Sequence, residues 1–259
     1  MPVIDVNGES LHYVREGSGD PLVFVHSLGT AVWLWEEQIR RFSSEYEVLA
    51  FDARGHGGST NNGGVTLRDI ASDIHLALSQ LGIPSAHFVG ISMGGLILSH
   101  LAGMHPEAVR SLVIADSFAT MGPQGAERAE ALAQQISAST MAEYGRRYAQ
   151  ETLLPSTPEA IHRALAEGMA AMKMDDYLQT VRSIFTSEVR EQMRSFGVPT
   201  LVICGEKDNR TPLAKSEEIA GLVPGARLQV IPDAAHLANL DNPSAFNDAL
   251  DGFLKAQAR

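Results

Sequence analysis

The sequence predicts an α/β fold built on a mostly parallel central sheet, with an antiparallel hairpin at one edge and an all-helical insertion. Short apolar runs alternate with helical stretches along most of the 259 residues, a pattern typical of parallel strands joined by crossover helices. A turn signal between two β-like runs near the N-terminus predicts the hairpin. The alternation stops at about residue 118 and resumes after residue 195. The sequence between these points has only helical patterns, which predicts the insertion.

The N-terminal part of the chain predicts three strands and a helix. Residues 3–6 and 11–15 are β-like and flank Asn7-Gly8, a pair that favours a tight hairpin turn because both residues tolerate positive φ. Residues 22–26 begin with four consecutive apolar residues, as expected for a strand that is covered on both faces. Residues 35–42 then have the pattern of a helix.

Strand and helix alternate regularly from there to residue 115. A strand at residues 48–51 precedes a helix at 67–81, whose apolar residues recur at helical spacing. A strand at residues 87–91 leads into a helix at 94–104, and residues 109–115 form the next apolar strand. This succession is what predicts the parallel part of the sheet.

The alternation returns after the insertion. The elements predicted there are a strand at 199–205, a helix at 213–222, a strand at 227–231 and a helix at 243–254. A helical insertion within a strand–helix series is most simply a lid over the active edge of the sheet. We therefore predict one core domain made of residues 1–117 and 196–259, and a lid made of residues 118–195.

Composition and charge narrow the classes of function. The formal net charge of −11 argues against a nucleic-acid partner or an anionic membrane surface, because the field of the protein repels both. No run approaches the roughly 18 apolar residues of a membrane span, and the N-terminal residues lack the pattern of a secretory signal. We therefore expect a cytoplasmic protein with a small-molecule substrate and no membrane partner, and the oligomeric state is left open.

The cysteine and histidine content argues against a metal site. Cys204 is the single cysteine, so no internal disulfide can form and a Cys-based metal site is not expected. The histidines at positions 75, 87, 100, 105 and 162 are scattered without metal-ligand spacing. We therefore predict neither a metal nor another cofactor.

The segment Gly90-Ile91-Ser92-Met93-Gly94 lies where a predicted strand reverses into a predicted helix. A Gly-x-Ser-x-Gly sequence in this context lifts the serine hydroxyl clear of the backbone. The flanking glycines remove Cβ atoms that would otherwise collide in so tight a turn. Ser92 is therefore the candidate nucleophile.

Asp208 and His236 are two further candidate catalytic residues. Each follows the end of a predicted strand, where the catalytic groups of parallel sheets gather. A serine hydroxyl needs a base to take its proton, and histidine with a carboxylate on its far nitrogen meets that need. We assign His236 as general base and then acid, and Asp208 as the orienting carboxylate. Asp116, also at a strand end, is the alternative acid.

Hydrolysis at a carbonyl also requires two N–H donors for the oxyanion that forms. The backbone N–H of Met93, at the start of a helix, is one candidate. Asp52, Arg54 and His56 most simply hold their own loop together. His26 lies beside the expected oxyanion loop and is a candidate to orient it.

These residues resemble the α/β-hydrolase superfamily and, within it, the 3-oxoadipate enol-lactonases. The segments that carry the resemblance are Ser27-Leu28-Gly29-Thr30, Asp52-Ala53-Arg54-Gly55-His56-Gly57, residues 86–95, His236-Leu237-Ala238-Asn239-Leu240 and residues 242–247. The resemblance implies an α/β-hydrolase fold and catalysis by Ser92, Asp208 and His236. It also implies that Leu28 and Met93 supply the oxyanion donors, and it implies no cofactor.

The activity implied is hydrolysis of a small ester or lactone through an acyl-enzyme, with an enol-lactone of the 3-oxoadipate type favoured. Such a lactone carries a carboxylate, so the lid should hold a cation, because guanidinium pairs with a carboxylate bidentately. The candidate cations are Arg146 and Arg182, together with Arg147 and Lys173. Trp33 is a candidate for the pocket mouth, and packing in the core is its alternative.

The lid departs from the enol-lactonase pattern, so other activities stay open. The same serine, histidine and acid would serve a hydrolase of carbon–carbon bonds in ring-cleavage products, a cofactor-free perhydrolase or a general carboxylesterase. A small-molecule receptor of the same fold is the non-enzymatic alternative. Product analysis separates the enzymes, and multiple turnover separates an enzyme from a receptor.

Overall fold

The computed structural model describes residues 2–257 and contains one eight-stranded sheet. Its strands are β1 (Val3–Val6), β2 (Glu9–Gly17), β3 (Asp20–Val25), β4 (Tyr46–Phe51), β5 (Ala86–Ile91), β6 (Val109–Ala115), β7 (Thr200–Gly205) and β8 (Arg227–Ile231). Residues 1, 258 and 259, which belong to the predicted core, lie outside the described residues.

The strands lie side by side in the order β1-β2-β4-β3-β5-β6-β7-β8. β2 is antiparallel to β1 and to β4, and the other neighbouring pairs are parallel. The hairpin between β1 and β2 turns at Asn7 and Gly8, with φ of 51° and 79°. The predicted fold class, a mostly parallel sheet with an antiparallel N-terminal hairpin, is therefore confirmed.

Eleven α-helices connect or cover the strands within residues 2–257. They are α1 (Glu36–Phe42), α2 (Leu67–Gln80), α3 (Met93–Met104), α4 (Gly125–Ser137), α5 (Met141–Thr152), α6 (Glu159–Ala171), α7 (Met174–Phe185), α8 (Arg190–Arg194), α9 (Leu213–Leu222), α10 (Ala238–Asp241) and α11 (Pro243–Gln257). None of these helices is both long and apolar enough to cross a membrane.

The core lies between the sheet and two groups of helices. All residues of β5 and β7 are buried, which explains why these strands read as continuous apolar runs. α1 packs against α11, whereas α2, α3, α8 and α9 contact one another in series. Trp35 is fully buried, with its ring centroid 4.8 Å from that of Phe24 and 6.1 Å from that of Phe246, so it packs in the core rather than at a pocket mouth.

The register of the parallel strands aligns their carboxyl ends. Val25 pairs with Gly90, Gly90 with Ile114, and Ile114 with Val202. The loops that leave β3, β5, β6 and β7 therefore begin side by side at one edge of the sheet. The candidate catalytic residues lie in these loops and in the loop after β8.

Residues 118–195 contain helices α4 to α8 and a single-residue bridge between Thr120 and Glu188. α5 packs against α6, and α4 packs against α7. α8 packs instead against α3 and α9, so the last part of the predicted lid joins the helices of the core. Its five residues are too few for apolar spacing to indicate the neighbour on which it packs.

The element bounds differ from the sequence prediction in a few places. β2 is longer than the predicted strand at both ends, because Glu9 and Ser10 pair with β1, and Glu16 and Gly17 pair with β4, through backbone groups that carry no apolar signal. The predicted helix at 35–42 is a 3₁₀ turn over Val32–Trp35 followed by α1. α10, a helix of four residues, was not predicted.

Candidate active site

Ser92 lies at a sharp turn between β5 and α3. Its φ is 53°, a strained value for a residue with a side chain, and its N–H donates to the Ala115 carbonyl at 2.8 Å. A Cβ added to Gly94 would lie 2.1 Å from the Val25 carbonyl oxygen, and one added to Gly90 would lie 2.5 Å from the Gly94 carbonyl. Both glycines are therefore required for the close approach that raises the serine.

The structure brings Ser92, His236 and Asp208 together. His236 Nε2 lies 2.9 Å from Ser92 Oγ, and His236 Nδ1 lies 2.9 Å from Asp208 Oδ2. His236 and Asp208 are buried, whereas Ser92 is partly accessible. With the proton on Nδ1, the Nε2 lone pair faces the serine hydroxyl, which is the arrangement a general base requires.

Asp208 is held by more than the histidine. Its Oδ1 accepts from the backbone N–H groups of Arg210 and Thr211 at 2.7 and 3.0 Å, and its Oδ2 accepts from the Thr211 hydroxyl at 2.6 Å. Burial raises the pKa of Asp208, but the bonds from His236 and Thr211 outweigh it and lower that pKa to about 2. The carboxylate is therefore ionised at neutral pH and suited to stabilise a protonated histidine.

Asp116, the alternative acid, makes different contacts. It is fully buried at the end of β6, and its carboxylate oxygens accept from the N–H groups of Gly205 and Ala238. Burial and the nearby charge of Asp208 raise the pKa of Asp116. The acid that bonds to His236 Nδ1 is thus Asp208.

The loop after β3 is fixed by a buried histidine. His26 Nδ1 donates to the Ser27 carbonyl at 2.7 Å, and its Nε2 accepts from the Ala53 N–H at 2.9 Å. Burial lowers the pKa of His26, so the neutral ring that these two bonds require is favoured. Within residues 2–257, the N–H groups of Leu28 and Met93 have no acceptor, which leaves both available to an oxyanion.

The loop after β4 is held by its own side chains, as predicted. Asp52 accepts from the N–H groups of Val32 and Gly58 at 2.7 and 2.8 Å. Arg54 forms a buried two-point ion pair with Asp73. His56 Nδ1 lies 2.9 Å from the Arg54 carbonyl oxygen, and burial lowers the pKa of His56 to about 3. These residues organise the loop and do not contact Ser92.

The structure does not bring the two arginines predicted to bind substrate to the candidate catalytic residues. Arg182 forms an exposed ion pair with Glu130, with 2.6 Å between Nε and Oε1. Arg146 is exposed and lines a cleft between α5 and α6 that contains none of the candidate catalytic residues. The sequence could not show this placement, because basic residues on a helix do not reveal which face meets the site.

Trp33 is partly buried and lines clefts beside the loops after β3 and β4. Its indole lies 3.6 Å from the position of a Cβ added to Gly168 of α6. A Cβ on Gly29 would lie 1.8 Å from Met169 Sδ, so α6 covers the loop that carries Leu28. Trp33 is thus at the boundary between core and insertion, and substrate contact remains a proposal for it.

A different arginine lies next to the candidate catalytic residues. A cleft of about 340 Å³ reaches His236 and is lined by Lys207 and Arg210 and by the end of α5. The Arg210 guanidinium lies 4.2 Å from the ring centroid of Tyr148 and 3.3 Å from the Glu151 carboxylate. Sequence reasoning missed Arg210, although its place two residues after Asp208 puts it beside the site once the acid is assigned.

One cluster of possible metal ligands forms away from this site. His75 and His105 stack with ring centroids 3.6 Å apart and an interplanar angle of 3°, and Glu107 lies next to them. Parallel stacked rings hold their nitrogen lone pairs in separate planes, so the two do not converge on one ion. Sequence spacing could not reveal this cluster, because His75 lies in α2 whereas His105 and Glu107 lie in the turn after α3.

Comparisons with known proteins agree with this fold. A family model described as alpha/beta hydrolase fold matches residues 20–243. The chain is similar to 3-oxoadipate enol-lactonase 2 of Acinetobacter baylyi, with 31% identity over 95% of this chain and 93% of that protein. A protein of Azorhizobium caulinodans, named provisionally as a carbamate hydrolase, is 26% identical over 98% of each chain. The crystal structure of the enol-lactonase from Burkholderia xenovorans has a TM-score of 0.80 and 27% identity, and covers 98% of this chain and 100% of that chain.

Proposed function

Because this chain belongs to the α/β-hydrolase family, we propose that it is a serine hydrolase of a small ester or lactone. The observation that carries the proposal is the pair of 2.9 Å contacts that link Ser92 to His236 and His236 to Asp208. Such a series gives a serine hydroxyl the base that it needs to act as a nucleophile. A cytoplasmic location stays a prediction from the sequence.

The proposed reaction has two halves. His236 takes the Ser92 proton as the serine oxygen attacks the substrate carbonyl. The oxyanion that forms accepts hydrogen bonds from the backbone N–H groups of Leu28 and Met93. His236 then returns the proton to the leaving oxygen, and the acyl group stays on Ser92. In the second half His236 takes a proton from water, which attacks the acyl carbon, and the serine leaves with that proton. In a lactone the ring opens in the first half.

The favoured substrate is an enol-lactone of the 3-oxoadipate type. Similarity to enol-lactonases over nearly the whole chain supports this choice. The relative named for carbamate hydrolysis also acts, by that name, on a carbonyl with a heteroatom leaving group. Acyl transfer to serine therefore supports the wider proposal, and the lactone is its specific form.

The substrate carboxylate is proposed to meet Arg210. Arg210 and Lys207 are the cations of the cleft that reaches His236, and Lys207 is exposed and paired with Asp233. The Arg210 side chain is more buried than that of Lys207, and the ring of Tyr148 restricts its guanidinium. A substrate carboxylate would then replace the Glu151 carboxylate as the ion-pair partner of Arg210. The helical insertion is the proposed lid, with α8 outside it.

The test is turnover of a panel of enol-lactones, aryl esters and ring-cleavage dienones by Ser92→Ala. We expect the lactones and esters to be hydrolysed through many turnovers by the unaltered protein. The variant should lose at least about 10³-fold in turnover rate. Ser99→Ala is the matched control, because Ser99 is buried in α3, the helix that follows Ser92, and its hydroxyl donates to the Gly95 carbonyl.

Three results would contradict the proposal in whole or in part. Retained activity in Ser92→Ala would remove the nucleophile assignment. A single slow modification of the unaltered protein, with no further turnover, would favour a receptor. Cleavage of the dienones alone would keep the serine but replace the substrate class.

A further inference from the structure

We propose that Asp116 is a positioning residue that holds the loops carrying Asp208 and His236 in place around Ser92. The proposal rests on the proposed function, because it concerns how that site is assembled. Asp116 makes no contact with Ser92 or His236 among the hydrogen bonds of residues 2–257. Its action is therefore through the backbone of its neighbours.

The two carboxylate oxygens bind two different loops. Oδ1 accepts from the Gly205 N–H at 2.7 Å, and Oδ2 accepts from the Ala238 N–H at 3.1 Å. Gly205 precedes the candidate acid by three residues, and Ala238 follows the candidate base by two. One side chain thus sets the separation of the segments on which Asp208 and His236 stand.

The backbone at Ala115 and Asp116 connects the candidate nucleophile to the same group of contacts. The Asp116 N–H donates to the Ile203 carbonyl at 2.9 Å, and the carbonyl of the preceding Ala115 accepts from the Ser92 N–H at 2.8 Å. Asp116 has a φ of 44°, a conformation that costs a residue with a side chain of order 1 kcal/mol or more. The bonds made by its backbone and side chain are what hold it there.

The contact between the two loops is close. A Cβ on Gly205 would lie 2.1 Å from the Ala235 carbonyl oxygen, and the Lys207 N–H donates to the Ala234 carbonyl at 2.8 Å. A small change in the spacing of these loops would therefore move Asp208 relative to His236. Misplacement of a catalytic group by about 1 Å costs on the order of 10²-fold in rate.

The two N–H donors at this position each need an oxygen acceptor, and aspartate supplies two. Asparagine has nearly the same shape, but its amide nitrogen would face a backbone N–H in place of an oxygen, so one bond is lost and two donors oppose each other. Asp116→Asn is therefore the variant that removes the clamp with little change in volume.

The matched control is Asp73→Asn. Asp73 is likewise fully buried, and its carboxylate bonds to Arg54 and Asn7, away from the candidate active site. Both variants should lower the melting temperature. Asp116→Asn should also lower kcat by about 10- to 100-fold with KM changed by less than about 3-fold, and should slow the labelling of Ser92 by a fluorophosphonate to a similar extent. Asp73→Asn should leave both rates of the folded protein within about 3-fold.

A second variant keeps the test decisive if Asp116→Asn does not fold. Ala238→Pro removes the N–H that binds Oδ2, at the first position of a helix, where the fixed φ of proline is well tolerated. Ala238→Gly, which keeps that N–H, controls for the change of side chain at this buried position. Ala238→Pro should also lower kcat. Unchanged kcat and labelling in folded Asp116→Asn, or in Ala238→Pro, would overturn the positioning role. Failure of the proposed function would be seen earlier, as an unaltered protein that neither turns over substrate nor reacts with the fluorophosphonate.

Discussion

Arg210 links the candidate catalytic site to the helical insertion. Its backbone N–H supports Asp208, and its guanidinium lies against Tyr148 and Glu151 of α5. Because it lines the cleft that reaches His236, it is placed to meet a charged group of the substrate. Its role is testable with substrates that differ only in that charge.

Arg210→Gln should raise KM for a carboxylate-bearing lactone by about 10-fold or more, the loss expected for one charge-assisted hydrogen bond. KM for a neutral lactone of the same size should change by less than about 3-fold. Arg190→Gln is the control, because Arg190 forms an exposed ion pair with Glu188. Equal effects of Arg210→Gln on KM for both lactones would show that Arg210 does not bind the substrate carboxylate.

At the scale of residues, the sequence predicted the groups whose chemistry demands a particular type and place. Ser92, Asp208 and His236 were found because each follows a strand end, and the structure brings these three side chains within hydrogen-bond reach. The sequence did not reveal that Arg146 and Arg182 lie away from these residues, because charge on a helix is common and is usually solvated, as the ion pair of Arg182 with Glu130 illustrates.

At the scale of elements, strands buried on both faces were predicted well, since their apolar runs are unbroken. β6, β8 and α9 have the predicted bounds. The end of β2 was missed because its pairing with β4 involves backbone groups of two exposed residues, Glu16 and Gly17. Short helices such as α8 and α10 have too few residues for a period to show, and their packing depends on tertiary contacts.

The turn at Ser92 shows how elements create the site. β5 and α3 approach so closely that a Cβ on Gly94 would contact the end of β3, and the register places that end beside β5. Three elements therefore have to be in place before the serine is exposed. The glycines of the motif indicate this close approach in the sequence. No sequence pattern indicates that Asp116 contacts two loops.

At the scale of the whole molecule, buried neutral histidines couple stability to pH. Burial, together with the charge of Arg68, lowers the pKa of His100 to about 4, and burial also lowers the pKa of His26 and of His56. An unfolded chain binds protons at these rings near the ordinary histidine pKa of about 6.5, but the folded protein does not. Stability should therefore fall as the pH falls below about 6.5.

His100→Gln tests this coupling at one site. His100 is buried and its Nε2 lies 3.0 Å from the Ser187 hydroxyl. Between pH 7.5 and 5, urea unfolding should show that the unaltered protein loses about 2 kcal/mol more than the variant, at about 1.4 kcal/mol per pH unit below 6.5. Equal losses in the two proteins would mean that His100 takes up its proton in the folded state.

The central claim is that Ser92, His236 and Asp208 act as one nucleophilic group, and trapping the acyl-enzyme tests it most directly. Protein quenched during turnover of a slowly deacylated aryl ester would be digested and its peptides weighed by mass spectrometry. We expect one acyl group per chain on the peptide that contains Ser92, and none in His236→Ala. Turnover at the full rate with that peptide unmodified, or an acyl group on another residue, would contradict the account.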